Sequence, residues 1–238
     1  MDTRVDEIAP KIYRLSTFLP QVGPKGLQFN QFLVDAEQPL LFHCGQRALF
    51  PTVSNAVARI IDLRRLRWIA FSHVEADECG ALNEFLAAAP ECTVTHGAIG
   101  LGIWLNDQSP RPPRGLADDE VLDLGGKRVR RLDTPHVPHC WDAGLLLEET
   151  TGTLFCSDLF THVGDPKPLT DGDILEPALA AEKQYPFMAV GPFVGSTLRR
   201  LAGFTPRTLA VMHGSSYTGD VAAHLDRLAE HHDNRLRR

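Results

Sequence analysis

The stretch FSHVEADECGAL, residues 71–82, places one imidazole and three carboxylates within six residues, directly after a run typical of a buried strand. The polar side chains are His73, Glu75, Asp77 and Glu78. In a continuous strand, alternate residues of this stretch would share one face. Since they instead follow the apolar run 66–72 and precede a helix predicted at 79–88, we interpret them as a tight turn around a cation. The alternative is a solvated loop whose carboxylates cap that helix.

Length and composition favour an ordinary globular protein. The 238 residues suit one large domain, and 43% are apolar and 23% charged. A formal net charge of −6 gives no reason to expect nucleic acid or an anionic membrane as a partner. The first residues contain no apolar core like that of a signal peptide, and no apolar run approaches the ~18 residues of a membrane helix. We therefore expect a cytoplasmic protein. Its five cysteines include no CxxC pair, which favours free, packed thiols.

Hydrophobic patterning predicts a mixture of strands and helices. Residues 106–120 contain three prolines and are predicted to form a loop. Many hairpins among alternating strands and helices favour a layered α/β fold with mixed sheets. The predicted strands are 11–16, 28–35, 38–45, 66–72, 92–97 and 208–214, with hairpins over 121–135 and 142–158. The predicted helices are 52–62, 79–88, 192–204 and 219–232.

Potential metal ligands recur where predicted strands end. After the first cluster come His139, Asp158 and His213, the last two directly following apolar runs. Ligands at the ends of neighbouring strands converge on one edge of a sheet, which fixes a preorganised metal site. Clustered carboxylates also need a counter-charge. No lysine lies nearby in sequence, although Arg64, Arg65 and Arg67 do. We interpret a divalent metal as the simplest partner of the acidic turn.

The ordered motif resembles the metallo-β-lactamase superfamily. Hydrolases of that superfamily usually carry HxHxDH, whereas here Glu75 replaces the middle His and Glu78 the final one. The HxExD form is similar to that of flavodiiron proteins and stand-alone oxygen-binding diiron proteins. PHCWDAGLLLEETTGTLFCSDLF (138–160) and MHGSS (212–216) resemble their later ligand motifs, so the resemblance covers roughly residues 10–220. It implies an αββα sandwich of two mixed β-sheets flanked by helices, in a single domain, 1–238, without a flavodoxin domain.

The resemblance also implies a set of metal ligands. The first metal would take His73, Glu75 and His139, the second would take Asp77 and His213, and Asp158 would bridge both.

Three further residues remain open. His139 is preferred to His136 because HCWD matches the spacing of the family, and His136 is held in reserve. Glu78 stands where the family commonly has a His, and it is expected to bind the second metal, to hydrogen-bond its water, or to do neither. His43 is either a support for a ligand or a satisfied core histidine.

The implied cofactor is a pair of iron ions. Three or four carboxylates balance most of the charge of two divalent cations, and mixed His/carboxylate ligation recurs in non-haem iron sites that handle O₂. Zinc hydrolase sites favour imidazole and thiolate, whereas this motif is rich in carboxylates. Zinc and manganese remain alternatives, because ligand types alone do not decide the metal. No bound flavin is expected.

The function that the resemblance implies is that of a non-haem diiron protein binding or reducing O₂, with NO as another ligand. Such a protein is either an oxidoreductase with a separate electron-donor protein or an O₂ sensor with a signalling partner, and a homodimer is compatible with it. The alternative is a dinuclear metal hydrolase of an ester or thioester, whose bridging hydroxide attacks the substrate.

Overall fold

The structure, a computed structural model, describes residues 2–237. Its first sheet contains seven strands whose spatial order follows the chain. The first four strands are antiparallel to their neighbours, and the fourth to seventh run parallel. These strands are β1 (Thr3–Ala9), β2 (Ile12–Leu19), β3 (Leu27–Val34), β4 (Leu40–Phe42), β5 (Trp68–Ala70), β6 (Thr93–His96) and β7 (Arg114–Gly115).

The second sheet also contains seven strands and is also mixed. They are β8 (Val121–Asp123), β9 (Arg128–Asp133), β10 (Gly144–Glu148), β11 (Thr153–Phe155), β12 (Leu169–Thr170), β13 (Thr208–Ala210) and β14 (Ser216–Thr218). Their spatial order is β12-β14-β13-β11-β10-β9-β8. Strands β11 and β13 pair in parallel, so both end at the same edge of the sheet.

Helices cover the outer faces. They are α1 (Phe50–Ala58), α2 (Ala76–Cys79), α3 (Leu82–Ala88), α4 (Ala98–Gly100), α5 (Asn106–Gln108), α6 (Leu175–Gln184), α7 (Phe193–Gly203) and α8 (Val221–Leu236). Pro51 lies in the first turn of α1, where its missing N–H costs nothing. Within residues 2–237, no helix combines the length and apolar character needed to cross a bilayer.

Three apolar clusters define the layers. Phe32 and Phe42 of the first sheet meet Phe155 of the second, with ring centroids 5.7 and 5.2 Å from Phe155. A second cluster joins the first sheet to α1 and α3, and a third joins the second sheet to α6, α7 and α8. The layer order is therefore helix, sheet, sheet, helix, and the predicted αββα sandwich is confirmed.

Most predicted elements are present, with a few differences. The helix expected over 79–88 begins earlier, at Ala76, and is broken into α2 and α3. Residues 106–120 include the short helix α5 and the two-residue strand β7 within the expected loop. Strand β1 and helix α6 were not predicted. β1 is an edge strand, so Arg4 and Glu7 face solvent and no clean alternation marks it.

Candidate metal centre

Four chain segments bring the predicted ligands together at one edge of the sandwich. His73 follows β5 of the first sheet, while Asp158 and His213 follow β11 and β13 of the second. His139 lies in the loop between β9 and β10. Backbone hydrogen bonds fix the two sheets at this edge: the N–H of Gly144 donates to the carbonyl of Ser72 at 3.0 Å.

The first half of the centre contains two imidazoles and two carboxylates. Nε2 of His73 lies 3.2 Å from Oε2 of Glu75, and Nε2 of His139 lies 3.4 Å from the same oxygen. Oδ2 of Asp158 lies 3.6 and 3.7 Å from the two imidazole nitrogens. All four ligand atoms lie within 4.8 Å of one another.

The second half is built around the other oxygen of Asp158. Oδ1 of Asp158 lies 3.3 Å from Nε2 of His213, and Oδ2 of Asp77 lies 3.3 Å from the same nitrogen. The two oxygens of Asp158 thus face the two halves separately. This geometry suits a carboxylate that bridges two cations.

The spacing and the donor types fit metal ions. Metal–ligand bonds of about 2.0–2.2 Å place neighbouring ligand atoms roughly 3.0–3.6 Å apart. The contacts above fall close to that range. Within residues 2–237, every ion-pair contact of the four carboxylates in this region, those of residues 75, 77, 78 and 158, is to a histidine. The arginines of the 64–67 segment therefore do not neutralise them.

Two of the three clustered imidazoles, those of His73 and His213, are held in an orientation that suits a metal. Nδ1 of His213 hydrogen-bonds to the carbonyl of Gln28 at 2.7 Å, which leaves Nε2 directed at Asp77 and Asp158. Nδ1 of His73 lies 3.1 Å from the hydroxyl of Ser72. A hydrogen bond at one ring nitrogen fixes the tautomer and leaves the other nitrogen free for a metal.

The carboxylates of this region favour positive charge on the neighbouring imidazoles. Burial disfavours the charged form of His73 and of His213, but neighbouring carboxylates raise the pKa of each to about 10. Hydrogen bonds from His139 and His73 lower the pKa of Glu75 to about 2. Protonated imidazoles therefore pair with the carboxylates when no cation is bound, and a metal ion would displace these protons.

The turn around residue 75 does not cap a helix. Glu75 is the residue that precedes α2, but its carboxylate accepts no backbone N–H of that helix. It contacts His73 and His139 instead. Asp77 and Glu78 lie in the first turn of α2, so the segment turns into a helix earlier than expected. The alternative of a helix-capping loop is wrong.

The three open residues occupy distinct positions. His136 is exposed, with its ring 5.6 Å from that of Phe193, and it lies outside the cluster that contains His139. Glu78 is buried, and the contacts of its carboxylate are to Ser72, His73, Ser157 and His43 rather than to Asp77 or His213. His43 is fully buried, with Nε2 3.2 Å from Glu78.

A cavity of about 270 Å³ opens onto the cluster. Glu75, His139, Asp158 and His213 form its floor. Its walls are largely apolar and come from the 22–27 loop and from α6 and the residues after it. Sequence reasoning missed these walls, because loop residues and the small alanines of α6 give no periodic signal.

The family assignment rests on comparison with known proteins. The sequence profile described as "ODP family beta lactamase" matches residues 27–174, which include five of the six clustered side chains. The chain belongs to the ODP family beta lactamases. Among solved structures, this family member is similar to a mutant of the flavo di-iron protein from Thermotoga maritima, with a TM-score of 0.84 at 19% identity over 96% of this chain and 61% of that one.

Curated relatives are longer proteins. This ODP family chain is 27% identical over 199 residues to "Putative diflavin flavoprotein A 1" of Nostoc sp., covering 79% of the chain and 33% of that protein. It is 21% identical over 206 residues to "Rubredoxin-oxygen oxidoreductase" of Megalodesulfovibrio gigas, covering 83% and 51%. The chain thus spans a third to a half of the length of these relatives. The expected likeness to the core of flavodiiron proteins is confirmed.

Two neighbours of the ligands were missed as parts of this ODP family site. Ser157 was not singled out, although it directly precedes Asp158 and its hydroxyl donates to Glu78 at 2.5 Å. The sulfur of Cys140, expected from the sequence to be a packed thiol, lies within 4.8 Å of ligand nitrogens of His73 and His139. Burial raises the pKa of Cys140 to about 11, so the thiol is protonated at neutral pH.

Proposed function

We propose that this chain is a diiron protein that binds O₂ and reduces it when a separate donor supplies electrons. The observation that carries the proposal is the placement of Asp158, whose two oxygens face two separate sets of His and carboxylate donors. The names of the relatives support it, since one is a flavo di-iron protein and another a rubredoxin-oxygen oxidoreductase.

The proposed iron ligands are those that the sequence motif indicated. His73, Glu75 and His139 would hold the first ion, Asp77 and His213 the second, and Asp158 both. Two ferrous ions would supply two electrons to O₂. Carboxylates are harder ligands than imidazole or thiolate, so this donor set favours iron over zinc. Exposed His136 takes no part in the proposed centre.

The remaining residues bind and shield the small ligand. The apolar cavity walls would admit O₂ or NO while limiting the water that reaches the cluster. The hydrogen bonds from His213 to Gln28 and between His73 and Ser72 would orient the ligating ring nitrogens for the metals. Since the described residues form one αββα unit, we propose that the electrons come from a donor outside it and that no flavin binds within it.

Metal analysis of protein purified without air tests the proposal first. About two irons per chain would support it, whereas two zincs together with hydrolysis of an ester or thioester, lost in Asp158→Ala, would overturn it in favour of the hydrolase.

Oxygen uptake then separates an enzyme from a sensor. The ferrous protein is mixed with O₂ and with a reductant that reacts slowly with O₂ by itself. Repeated consumption of O₂ indicates a reductase. Uptake that stops once the O₂ consumed is stoichiometric with the protein indicates a sensor. No uptake at all, with either O₂ or NO, would refute the proposed function.

A further inference from the structure

Glu78 is a buried carboxylate to which the proposed metal centre gives no role. Its side chain is only 1% exposed. Oε2 accepts the backbone N–H groups of Ser72 and His73 at 2.9 and 2.8 Å. Oε1 accepts the hydroxyl of Ser157 at 2.5 Å and lies 3.2 Å from Nε2 of His43. Burying a carboxylate costs free energy unless its oxygens accept hydrogen bonds. Here both oxygens of Glu78 accept them.

These partners lie beside the proposed ligands of both metals. One of the accepted N–H groups belongs to His73 itself, and Oε1 also lies 3.4 Å from Nδ1 of the His73 ring. Ser157 directly precedes Asp158, the residue that faces both halves of the centre. A single side chain on α2 thus contacts the segments that carry a ligand from each of the two sheets.

Backbone conformation gives a second reason to assign a role to this side chain. Ser157 and His43 have φ values of 51° and 65°, in the left-handed region that residues other than glycine rarely adopt. Such conformations are strained and persist where the surroundings hold them. The hydroxyl of Ser157 reaches Glu78 in this conformation, and the carbonyl of Glu78 accepts the N–H of Cys44, next to His43.

We propose that Glu78 is a positioning residue that holds His73 and Asp158 in register, so that the two metal sites form as one unit. It acts through the 72–73 backbone and through Ser157, and it does not ligate a metal. This role rests on the proposed metal centre. Because Asp158 serves both halves, loss of Glu78 weakens binding of both ions together.

Titration of metal-free protein with Co²⁺ in competition with a chelator tests this role. We expect Glu78→Ala to bind Co²⁺ about 10–100-fold more weakly at both sites, the usual effect of removing a residue that orients metal ligands. Glu78→Gln should recover most of the affinity, because an amide oxygen still accepts the two backbone N–H groups. The visible spectrum of bound Co²⁺ should change in Glu78→Ala, since it reports ligand geometry.

Glu148 provides the matched control. It is a fully buried carboxylate that accepts the backbone N–H and hydroxyl groups of Thr150 and Thr151. In the sheet, Glu148 of β10 pairs with Thr153 at the start of β11, whereas Asp158 follows the end of β11. Glu148 therefore lies at the other end of that strand from the metal centre. Glu148→Ala should therefore lower the melting temperature as a structural substitution does, yet leave Co²⁺ affinity and spectrum unchanged.

Several outcomes would overturn the role of Glu78. One is a folded Glu78→Ala protein that binds two Co²⁺ with wild-type affinity and spectrum, and another is an equal loss of affinity in Glu148→Ala. If Glu78→Ala does not fold, Ser157→Ala decides, because it removes only the hydroxyl that donates to Glu78 at 2.5 Å and, in a longer contact of 3.4 Å, to Oδ2 of Asp158. Weaker Co²⁺ binding at both sites supports the role, and wild-type binding refutes it. If Co²⁺ binding depends on Glu78 as expected but the ferrous wild-type protein never reacts with O₂, the proposed function is refuted and the positioning role of Glu78 stands.

Discussion

Replacing Asp158 by Asn tests whether one carboxylate serves two cations. In the native side chain Oδ2 faces His73 and His139, and Oδ1 faces His213. Asn keeps the shape of Asp but carries no charge, and one of its two terminal atoms is a hydrogen-bond donor that cannot ligate. The variant can therefore support one half of the centre and not both.

The size of the effect depends on the donors that remain. Without Asp158 the first half keeps His73, Glu75 and His139, whereas the second keeps only Asp77 and His213. Protein sites for such ions usually supply at least three donors. Residues that merely orient ligands are worth 10–100-fold in metal affinity. We therefore expect loss of a ligand to weaken the second site by more than about 100-fold, or about 2.8 kcal/mol.

Anaerobic iron titration with metal analysis of the desalted protein measures this loss. Wild-type protein should hold two irons and Asp158→Asn about one. The matched control is Asp118→Asn, which alters a carboxylate that accepts two hydrogen bonds from Arg200 outside the metal centre, and it should still hold two. Two irons bound by Asp158→Asn with unchanged affinity would show that this carboxylate does not bridge.

Three further predictions concern separate parts of the chain. His139→Ala should lose iron from the first site while His136→Ala keeps wild-type iron content, and equal losses in the two variants would contradict the placement of His139 in the cluster. Phe155→Ala should lower the free energy of unfolding by about 3–5 kcal/mol in denaturant titration, because this fully buried ring lies between the two sheets; a loss below about 1 kcal/mol would show that the inter-sheet core repacks around the gap. Burial favours the neutral form of Glu148, but its hydrogen bonds outweigh burial and lower its pKa below the usual 4.5. Ionised Glu148 therefore stabilises the fold above pH 4.5, and this stabilisation is lost as the pH falls through the lowered pKa. Glu148→Gln should be less stable than wild type by about 1–3 kcal/mol at pH 7 and by less below pH 4, and a difference independent of pH would refute this origin.

The sequence indicated the fold through local features. Residues 28–35 intersperse apolar with amide side chains and residues 208–214 are mostly apolar, both in the manner of strands, and they correspond to β3 and β13. Helix α7 begins and ends close to its predicted bounds because its apolar residues recur with helical spacing and are buried. Helix α6 was missed because small alanines on its buried face give a weak periodic signal.

The sequence by itself determined which residue types occur at the strand ends, since the HxExD motif and the later His, Asp and His residues are readable along the chain. Only the tertiary structure decided which of them meet. Glu78 and Ser157 lie 79 residues apart and Gln28 and His213 lie 185 apart, yet each pair is hydrogen-bonded. Local pattern cannot predict such contacts, because they depend on how the two sheets pack and on the register in which parallel strands end. For the same reason, only the fold turned the carboxylate of Glu78 away from Asp77 and His213. The choice of His139 over His136 was already favoured by the spacing of HCWD, and the fold places His139 in the cluster.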